Sequence, residues 1–398
     1  MNPNRLPDNW EIKKMPQVVK WSSGGTPKAT EKQYYDGGTI PWLIIGDLND
    51  GIVTTSASKI TELGLRNSSA KMIPVGTLLV AMYGSIGKLG ITGIECCTNQ
   101  AIAYAKELRG VTTKYMFYYM ALMKSELISK GKGGTQKNIS QTVLNSLDVI
   151  VPPLDEQERI VSRIEELFSQ LDSGVETLQK TKQQLAVYRQ AVLKEAFEGF
   201  TDKKPIREMS SLVTSGSRGW AQYYADTGAR FIRITDLTRD GIKLKNDSIQ
   251  YVVLPDKAEG KRSRLIGGDV LVSITADLGS IALIPDSIEE AYINQHIAMV
   301  RYNNPAQGEF MAWYLRSEWG QKDLLKNKRG GGKLGLGLDD IRDTPVPVVS
   351  DEEAQQIVAF IDGRLSVCDS IEQTVNTALQ QAEAMRLSIL KQAFEGRS

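Results

Sequence analysis

Hydrophobic residues recur at steps of three and four along residues 154–199, from Ile160 and Ile164 as far as Val192. This spacing is typical of one long amphipathic helix with a narrow apolar stripe. No proline follows Pro153 within the range, so nothing forces a break in the helix. At 1.5 Å per residue the helix would be about 65 Å long. A stripe this narrow needs a partner helix to cover it.

The chain contains a second copy of the same pattern at a constant offset of 197, over residues 351–396. Leu390–Gly396 matches Leu193–Gly199 at six of seven positions. Each copy follows a proline-containing, strand-like run, at residues 149–153 and 344–348. The sequence therefore predicts an internal duplication with a period of about half the chain.

The charges along the two copies favour an antiparallel pair of helices. Residues 154–176 hold seven acids and two bases, and residues 351–373 hold six acids and one base, whereas the later halves are less acidic or basic. A parallel pair would place acid beside acid over the first halves, and an antiparallel pair avoids this repulsion. Part of the asymmetry matches the helix dipole, which also favours acids near an N-terminus.

The regions before each helix form a second, looser repeat of short strand-like runs and turn signals, with one predicted helix at Lys114–Leu127. Gly76–Val80 corresponds to Gly268–Val272, and Asn99–Ala103 corresponds to Asn294–Ala298. The predicted fold class is α+β, with two α/β domains, a long antiparallel two-helix coiled coil between them, and an internal pseudo-twofold duplication. The predicted division is residues 1–153, first domain; 154–200, first long helix; 201–350, second domain; and 351–398, second long helix.

Composition narrows the class of protein. A chain of 398 residues with 41% hydrophobic residues can form two or more packed cores. The net charge of +1 gives no general attraction to nucleic acid, so a nucleic-acid interface would need local basic patches. The three cysteines provide neither a disulfide framework nor zinc spacing. The start lacks the apolar core of a signal peptide, and no run reaches membrane-spanning length, so we expect a cytoplasmic protein without membrane contact.

A search for catalytic motifs predicts no catalytic, metal or cofactor site in this chain. There is no Asn-Pro-Pro-aromatic tetrapeptide of an amino-methyltransferase and no phosphate-binding loop. The glycines at 330, 332 and 335 have the spacing of a dinucleotide fingerprint, but they follow a helix-like segment, so the match is weak. The acids of Pro255–Lys261 are too close together for a nuclease metal site. The single histidine, His296, is interpreted as a structural residue or a groove contact rather than a catalytic base.

Two glycine-rich basic loops are the better functional candidates, because they recur at equivalent places and could approach a phosphate backbone closely. Polar residues after a predicted strand, and in an early turn of each domain, could read base edges. In the first domain the predicted DNA-binding residues are Ser23, Thr26, Tyr83, Ser85, Lys88, Lys130, Lys132, Gly133, Gly134, Thr135, Gln136, Lys137 and Asn138. In the second domain they are Ser217, Arg218, Thr275, Asp277, Ser280, Lys328, Arg329, Gly331 and Lys333.

The whole chain resembles the specificity subunit of a Type I restriction–modification system. The resemblance lies in the Pro-Pro-Leu-x-Glu-Gln-Glu-x-Ile run at Pro152–Ile160, the paired Leu-Lys-x-Ala-Phe-Glu-Gly ends, and the Gly-Thr-Gln-x-Asn-Ile segment at Gly134–Ile139. The second copy departs from the first and last of these, reading Val349–Gln355 and Gly332–Leu336 instead.

The resemblance implies that each domain is a target-recognition domain for half of an asymmetric, bipartite double-stranded DNA site. It implies that the helices set the spacer and dock two modification subunits, which carry S-adenosylmethionine and methylate adenine. It also implies restriction subunits that use ATP and Mg, so that this chain is not itself an enzyme. The alternatives are a coiled-coil scaffold for protein partners without DNA readout, and an enzyme, and salt-dependent DNA binding and a methyl-transfer assay would separate them.

Overall fold

The computed structural model describes residues 6–133, 137–255, 261–326 and 335–396. Its contacts divide the chain into one unit of Met1–Leu178 with Thr377–Ser398 and a second unit of Gln179–Asn376. The division runs through both long helices, so each unit contains one α+β repeat, the start of one long helix and the end of the other. The four-part division predicted from the sequence uses a different criterion and stays a prediction.

In its described residues the first repeat has ten short strands and five short α-helices ahead of the first long helix, besides two 3-10 turns. The strands are β1 (Glu11–Lys14), β2 (Val19–Ser23), β3 (Ile40–Leu43), β4 (Gly51–Val53), β5 (Lys59–Ile60), β6 (Leu78–Ala81), β7 (Leu89–Thr92), β8 (Cys97–Thr98), β9 (Ile102–Leu108) and β10 (Asp148–Val151). The helices are α1 (Met15–Val18), α2 (Glu62–Arg66), α3 (Thr113–Leu122), α4 (Lys124–Ser129), α5 (Gln141–Asn145) and the long α6 (Leu154–Phe197).

The strands of the first repeat form a five-stranded sheet in the order β2-β9-β6-β7-β4, a three-stranded sheet β5-β3-β8, and the pair β1-β10. β6 lies between two antiparallel neighbours, and all four of its residues are buried, as a short unbroken apolar run predicts. Helix α3 buries Tyr115, Met116 and Tyr119, among other residues, in the main core of this unit. The sheet and α3 thus hold the connecting loops of the repeat in place.

The second repeat has a similar order of elements. Its strands are β11 (Lys203–Pro205), β12 (Ser210–Ser215), β13 (Tyr224–Ala225), β14 (Ala229–Ile232), β15 (Tyr251–Val252), β16 (Val270–Ser273), β17 (Ile281–Leu283), β18 (Ala291–Ile293), β19 (Ile297–Tyr302) and β20 (Pro345–Pro347). Its helices are α7 (Ile206–Met209), α8 (Gly308–Arg316), α9 (Glu318–Leu324), α10 (Leu338–Arg342) and the long α11 (Asp351–Phe394).

The sheets of the second repeat confirm the duplication. The order β12-β19-β16-β17 repeats β2-β9-β6-β7, and the pair β11-β20 repeats β1-β10. The smaller sheet joins β14 and β18 in parallel, as β3 and β8 are joined in the first repeat. The repeats differ at sheet edges, because β4 adds a strand to the large sheet of the first repeat and β13 adds one to the small sheet of the second.

In the first unit the start of α6 packs antiparallel against the end of α11. Ile160 and Ile164 share a core with Leu390 and Phe394. Farther along α6, Asp172 pairs with Arg386, which comes earlier in α11. Later positions in α6 thus contact earlier positions in α11. The two helices run in opposite directions, and the predicted antiparallel pairing is confirmed.

In the second unit the end of α6 packs against the start of α11 in the same sense. Lys182 donates to Asn376 at 3.0 Å, whereas Arg189 bonds Asp369 and Glu372 at 2.8 and 2.9 Å. The guanidinium of Arg189 is largely covered, with its side chain 15% exposed, so this pairing joins the two helices at a partly desolvated position. The basic later half of α6 thus meets the acidic first half of α11, as the charge pattern predicts.

One predicted helix differs from the structure. The sequence predicts a single helix over Lys114–Leu127, and the structure has α3 and α4 with Met123 between them. The amide of Met123 still bonds Tyr119, and the amide of Leu127 bonds Met123. Met123 has φ −78° and ψ −2°, which opens the helical ladder there without a glycine or proline to mark the position in the sequence.

Candidate nucleic-acid interface

The turn after β2 lies against the Asn-Gln segment that follows β8. The amide of Gly25 donates to the Thr98 carbonyl at 2.9 Å, and the Thr26 hydroxyl donates to Gln100 Oε1. A Cβ on Gly24 would lie 1.9 Å from the Thr98 carbonyl oxygen, so only glycine permits this approach. The predicted turn residue Thr26 is therefore brought to the exposed Gln100, whereas Ser23 pairs with Ala103 at the end of β2.

The turn after β6 joins this surface to the glycine-rich loop. The amide of Met82 donates to Ala101, next to Gln100, and Met82 accepts from Ile139 at the end of the loop, both at 2.8 Å. The amide of Gly84 donates to the Lys137 carbonyl at 3.2 Å. Four separate stretches of the first repeat thus form one continuous surface, which we call the first polar edge. It comprises residues 23–26, 83–88, 98–101 and the described part of 130–138.

The side chains of the first polar edge are largely open to solvent. Thr26, Tyr83, Ser85, Gly133 and Asn138 are exposed, whereas Ser23 and Lys88 are half-buried. Tyr83 pairs with Asn138 across a β-bridge, and Lys132 pairs with the same residue. The loop therefore lies beside the turn that carries the predicted base-reading residues.

The lysines of this edge differ in their surroundings. Lys130 is paired with Glu126 one helical turn earlier at 2.8 Å, and Lys88 Nζ lies 3.5 Å from the Ile45 carbonyl. Lys132 and Lys137 are exposed on the loop itself. Lys132 and Lys137 therefore offer the more available positive charges for a phosphate, because the charge of Lys130 is already compensated by Glu126.

The second repeat builds the corresponding surface. A Cβ on Gly216 would lie 1.9 Å from the Ile293 carbonyl oxygen, the same close approach as at Gly24. Ser217 forms a β-bridge with Asn294, and the next residue, Arg218, is exposed. The early turn of the second repeat therefore lies on its own Asn-Gln segment.

The turn after β16 continues that surface. Thr275 forms a β-bridge with Gly335 at the end of the second glycine-rich loop, and the Leu336 amide donates to Ile274 at 2.9 Å. Thr275 Oγ1 lies 2.6 Å from His296 Nδ1, and Gln295 Nε2 lies 2.9 Å from His296 Nε2. These segments, residues 215–218, 275–280, 294–296 and the described end of the loop at 335–336, form the second polar edge.

Asp277 and Ser280 stabilise the turn of the second polar edge. Asp277 pairs with Arg239 at 2.6 Å and accepts from the Ser280 hydroxyl at 2.7 Å. These hydrogen bonds, from Arg239 first and Ser280 next, lower the pKa of Asp277 below its usual value. Ser280 is fully buried, so its hydroxyl supports the turn and does not face solvent, whereas Asp277 is exposed.

Some predicted residues lie outside the described part of the chain. They are Gly134, Thr135 and Gln136 in the first loop and Lys328, Arg329, Gly331 and Lys333 in the second. Two glycines of the weak dinucleotide-fingerprint match, Gly330 and Gly332, also lie outside the described residues. So do the two acids, Asp256 and Glu259.

Three side chains on or beside the polar edges are absent from the predicted set of contacts. Gln100 and Gln295 occupy equivalent positions, and the recurrence of the Asn-Gln dipeptide is the signal that could have indicated them. Arg239 lies close to the turn only because the chain folds back, 38 residues ahead of Asp277. No signal in the sequence connects those two residues.

The two polar edges present hydrogen-bonding side chains, and basic residues lie nearby. Amide and hydroxyl side chains can donate to or accept from base edges, and lysine and arginine can contact phosphates. Within the described ranges no group of three or more His, Cys, Asp or Glu residues could hold a metal ion. Nor does any helix of that part have the length and apolar character to cross a membrane.

A duplicated α+β chain with one polar edge per repeat and a pair of antiparallel long helices is a two-module recognition protein. The chain belongs to the family described as the Type I restriction modification DNA specificity domain, whose model matches residues 7–186 and 206–381. The two matches correspond to the two repeats with parts of their long helices. The chain is thus a DNA specificity subunit of the Type I restriction–modification class.

Individual relatives agree over nearly the full chain. The Type I restriction enzyme EcoBI specificity subunit of Escherichia coli is 24% identical over 98% of this chain and 86% of its own length. A solved structure described as the basis of complex assembly and conformational transition of the type I R-M system covers 100% of both chains, with a TM-score of 0.77 and 17% identity. The HsdS subunit of Thermoanaerobacter tengcongensis covers 100% and 99% with a TM-score of 0.53, also at 17% identity. These structures establish the shared fold.

Proposed function

We propose that each repeat reads one half of an asymmetric, bipartite site on double-stranded DNA through its polar edge. The observation that carries the proposal is the recurrence of one arrangement twice in the chain, with different side chains. An early turn meets an Asn-Gln segment, which meets the turn after a central strand and then a glycine-rich basic loop. Because the contacts between these segments recur, both repeats would approach a duplex in the same way. Because their side chains differ, they would read different base sequences.

The two long helices are proposed to set the distance between the half-sites and to dock two modification subunits. Two equivalent repeats offer two equivalent faces, as a symmetric assembly requires. The relative from the type I R-M complex is described in terms of complex assembly, which supports a role inside a larger complex. Restriction subunits are proposed to join the same complex, which is proposed to act on DNA in the cytoplasm.

The chain is proposed to have no catalytic centre of its own, in line with relatives that are named specificity subunits. S-adenosylmethionine would be held by the modification subunits, and ATP and Mg by the restriction subunits. No residue of this chain is assigned to any of these groups. The part of this chain is to choose the DNA that its partners modify.

Methylation mapping tests the proposal directly. DNA from cells that express this chain with its modification subunit is expected to contain methylated adenine in one motif with two defined half-sites and a fixed spacer. Cells with the modification subunit alone are the control and should lack that motif.

Alanine at both Lys132 and Lys137 should weaken duplex binding for all sequences and flatten its salt dependence, by up to about one unit of slope per lost phosphate contact. Methylation with no bipartite motif, or binding that salt does not affect, would contradict the proposal.

A further inference from the structure

The two polar edges contain a glutamine at the same place, Gln100 in the first and Gln295 in the second, and hold it by opposite ends of its amide. The amide of glutamine has an oxygen that only accepts hydrogen bonds and a nitrogen that only donates them. The end that the protein engages keeps only part of its hydrogen-bonding capacity, so the other end is the more available to a ligand.

In the first polar edge the oxygen of the amide is engaged. The Thr26 hydroxyl donates to Gln100 Oε1, and this direction is fixed because an amide oxygen has no hydrogen to give. Gln100 is exposed, and its NH₂ group keeps two donors for a ligand. The residue after Gln100 is Ala101, whose side chain has no polar atom that could accept one of those hydrogens.

In the second polar edge the nitrogen of the amide is engaged. Gln295 Nε2 lies 2.9 Å from His296 Nε2, and since the amide nitrogen can only donate, the ring nitrogen accepts. In a neutral ring the hydrogen is then on Nδ1, which donates to Thr275 Oγ1 at 2.6 Å. Gln295 keeps its oxygen and its second N–H for the outside.

The exchange of partners follows from two substitutions between the repeats. His296 stands where the first repeat has Ala101, so only the second repeat has a ring nitrogen beside its glutamine. The matching close approaches of Gly24 and Gly216 place Arg218 where the first repeat has Thr26, and an arginine can only donate. Thr275 and His296 act as positioning residues for Gln295, and Thr26 acts as the positioning residue for Gln100.

We propose that Gln295 reads an adenine in one half-site and that Gln100 reads a guanine in the other, an inference that rests on the proposed DNA-reading function. An acceptor beside a donor matches N6 and N7 of adenine in the major groove, the usual bidentate pairing of glutamine. With its oxygen already bonded by Thr26, the Gln100 amide presents its two N–H donors, which match the O6 and N7 acceptors of guanine. One residue type thus reads different bases in the two repeats.

The test uses the complete chain with its modification subunit and duplex libraries in which one half-site at a time is randomised. Methylated duplexes are sequenced to give the base preference at every position. Gln295→Ala is expected to lower the adenine preference at one position of one half-site by about five- to 150-fold, and Gln100→Ala to lower a guanine preference in the other half-site by a similar factor. In each variant the half-site read by the unchanged repeat is the internal control for folding. Gln295→Met repeats the test with the length of the side chain preserved.

The positioning residues are tested at the same position. His296→Ala and Thr275→Val should lower the adenine preference where Gln295→Ala does, whereas Thr275→Ser, which keeps the hydroxyl, should preserve it. A purely structural role would weaken the whole half-site evenly and would not single out this position. Unchanged base preferences in both glutamine variants, or losses at bases other than adenine and guanine, would overturn the inference while the proposed function stands. A wild-type complex that selects no bipartite site would remove the proposed function itself.

Discussion

At the scale of single residues, the ion pair of Arg301 and Asp269 shows how the second repeat departs from the first. Arg301 donates through Nε and Nη2 to the two oxygens of Asp269, both at 2.8 Å. The Asp269 side chain is 1% exposed, and it also accepts from the Ile266 amide at 2.9 Å. The first repeat has Lys106 and Thr77 at the equivalent positions, so it has no such pair.

Replacing Arg301 by methionine is expected to destabilise the second unit by about 2–4 kcal/mol, because a buried carboxylate is left without its cation. Urea unfolding of the wild type and the variant measures the loss. Lys106→Met at the exposed equivalent position should change stability by less than about 0.5 kcal/mol. The double variant Arg301→Met with Asp269→Thr should recover much of the loss. If it is as unstable as the single variant, the unpaired carboxylate is not the cause.

Residues that recur at matched places could be predicted, and residues joined by the fold could not. The glycines, lysines and hydroxyl residues of the polar edges stand beside glycine-rich turns in both copies, and this recurrence indicated them from the sequence. The i,i+4 spacing of Glu126 and Lys130 could be read in the same way. The contact of Thr26 with Gln100, over 74 residues, depends on sheet pairing that no local pattern specifies.

At the scale of elements, the end of each long helix is fixed by one phenylalanine. Phe394 at the end of α11 packs on Tyr115 and Tyr119 of α3, each with ring centroids 5.1 Å apart. Phe197 at the end of α6 packs on Phe310 and Tyr314 of α8, each at 5.5 Å. Each end therefore packs against the repeat that lies in its own unit.

Phe394→Ala is expected to destabilise the first unit by about 3–5 kcal/mol, because it removes a fully buried ring from a closely packed core. Thiol labelling can locate the effect. Burial raises the pKa of Cys96 to about 11 and, with the neighbouring thiol, that of Cys97 to about 12, and Cys368 is buried in the second unit. Labelling of Cys96 and Cys97 should accelerate in Phe394→Ala, with Cys368 little changed.

The matched variant of that experiment is Phe197→Ala. It should expose Cys368 first and leave Cys96 and Cys97 protected for longer. Equal acceleration of all three cysteines in both variants would mean that the two units unfold together and that neither phenylalanine acts locally.

The boundaries of the long helices were predictable to within about two residues, because the apolar stripe is long and glycine follows each end. The short strands were not, since pairs such as β5 and β8 have two residues and exist only through partners elsewhere in the chain. The break at Met123 was also missed. Neither its side chain nor its neighbours interrupt the apolar pattern, so only the tertiary packing of α3 and α4 defines it.

At the scale of the whole molecule, duplication made the architecture readable. The offset of 197 between the helices predicted a pair of equal elements, and the charge asymmetry predicted their direction. The structure agrees in each unit, where Asp172 meets Arg386 and Arg189 meets Glu372. The base sequence of either half-site does not follow from the fold, since it depends on a few side chains at each polar edge.

The proposed role of the helices as a spacer gives the last prediction. Lys182 lies against Asn376, so a heptad inserted between Gln183 and Gln184 is matched by one between Thr374 and Val375. Seven residues keep the apolar stripe nearly in register and lengthen each helix by about 10 Å, or three base pairs at about 3.4 Å each. With the modification subunit, the double-insertion chain is expected to methylate the same two half-sites with a spacer about three pairs longer. A heptad in one helix alone is the control and should disrupt the pairing. If the folded double-insertion chain methylates the original motif, the distance is set by the repeats or their partners and not by the helices.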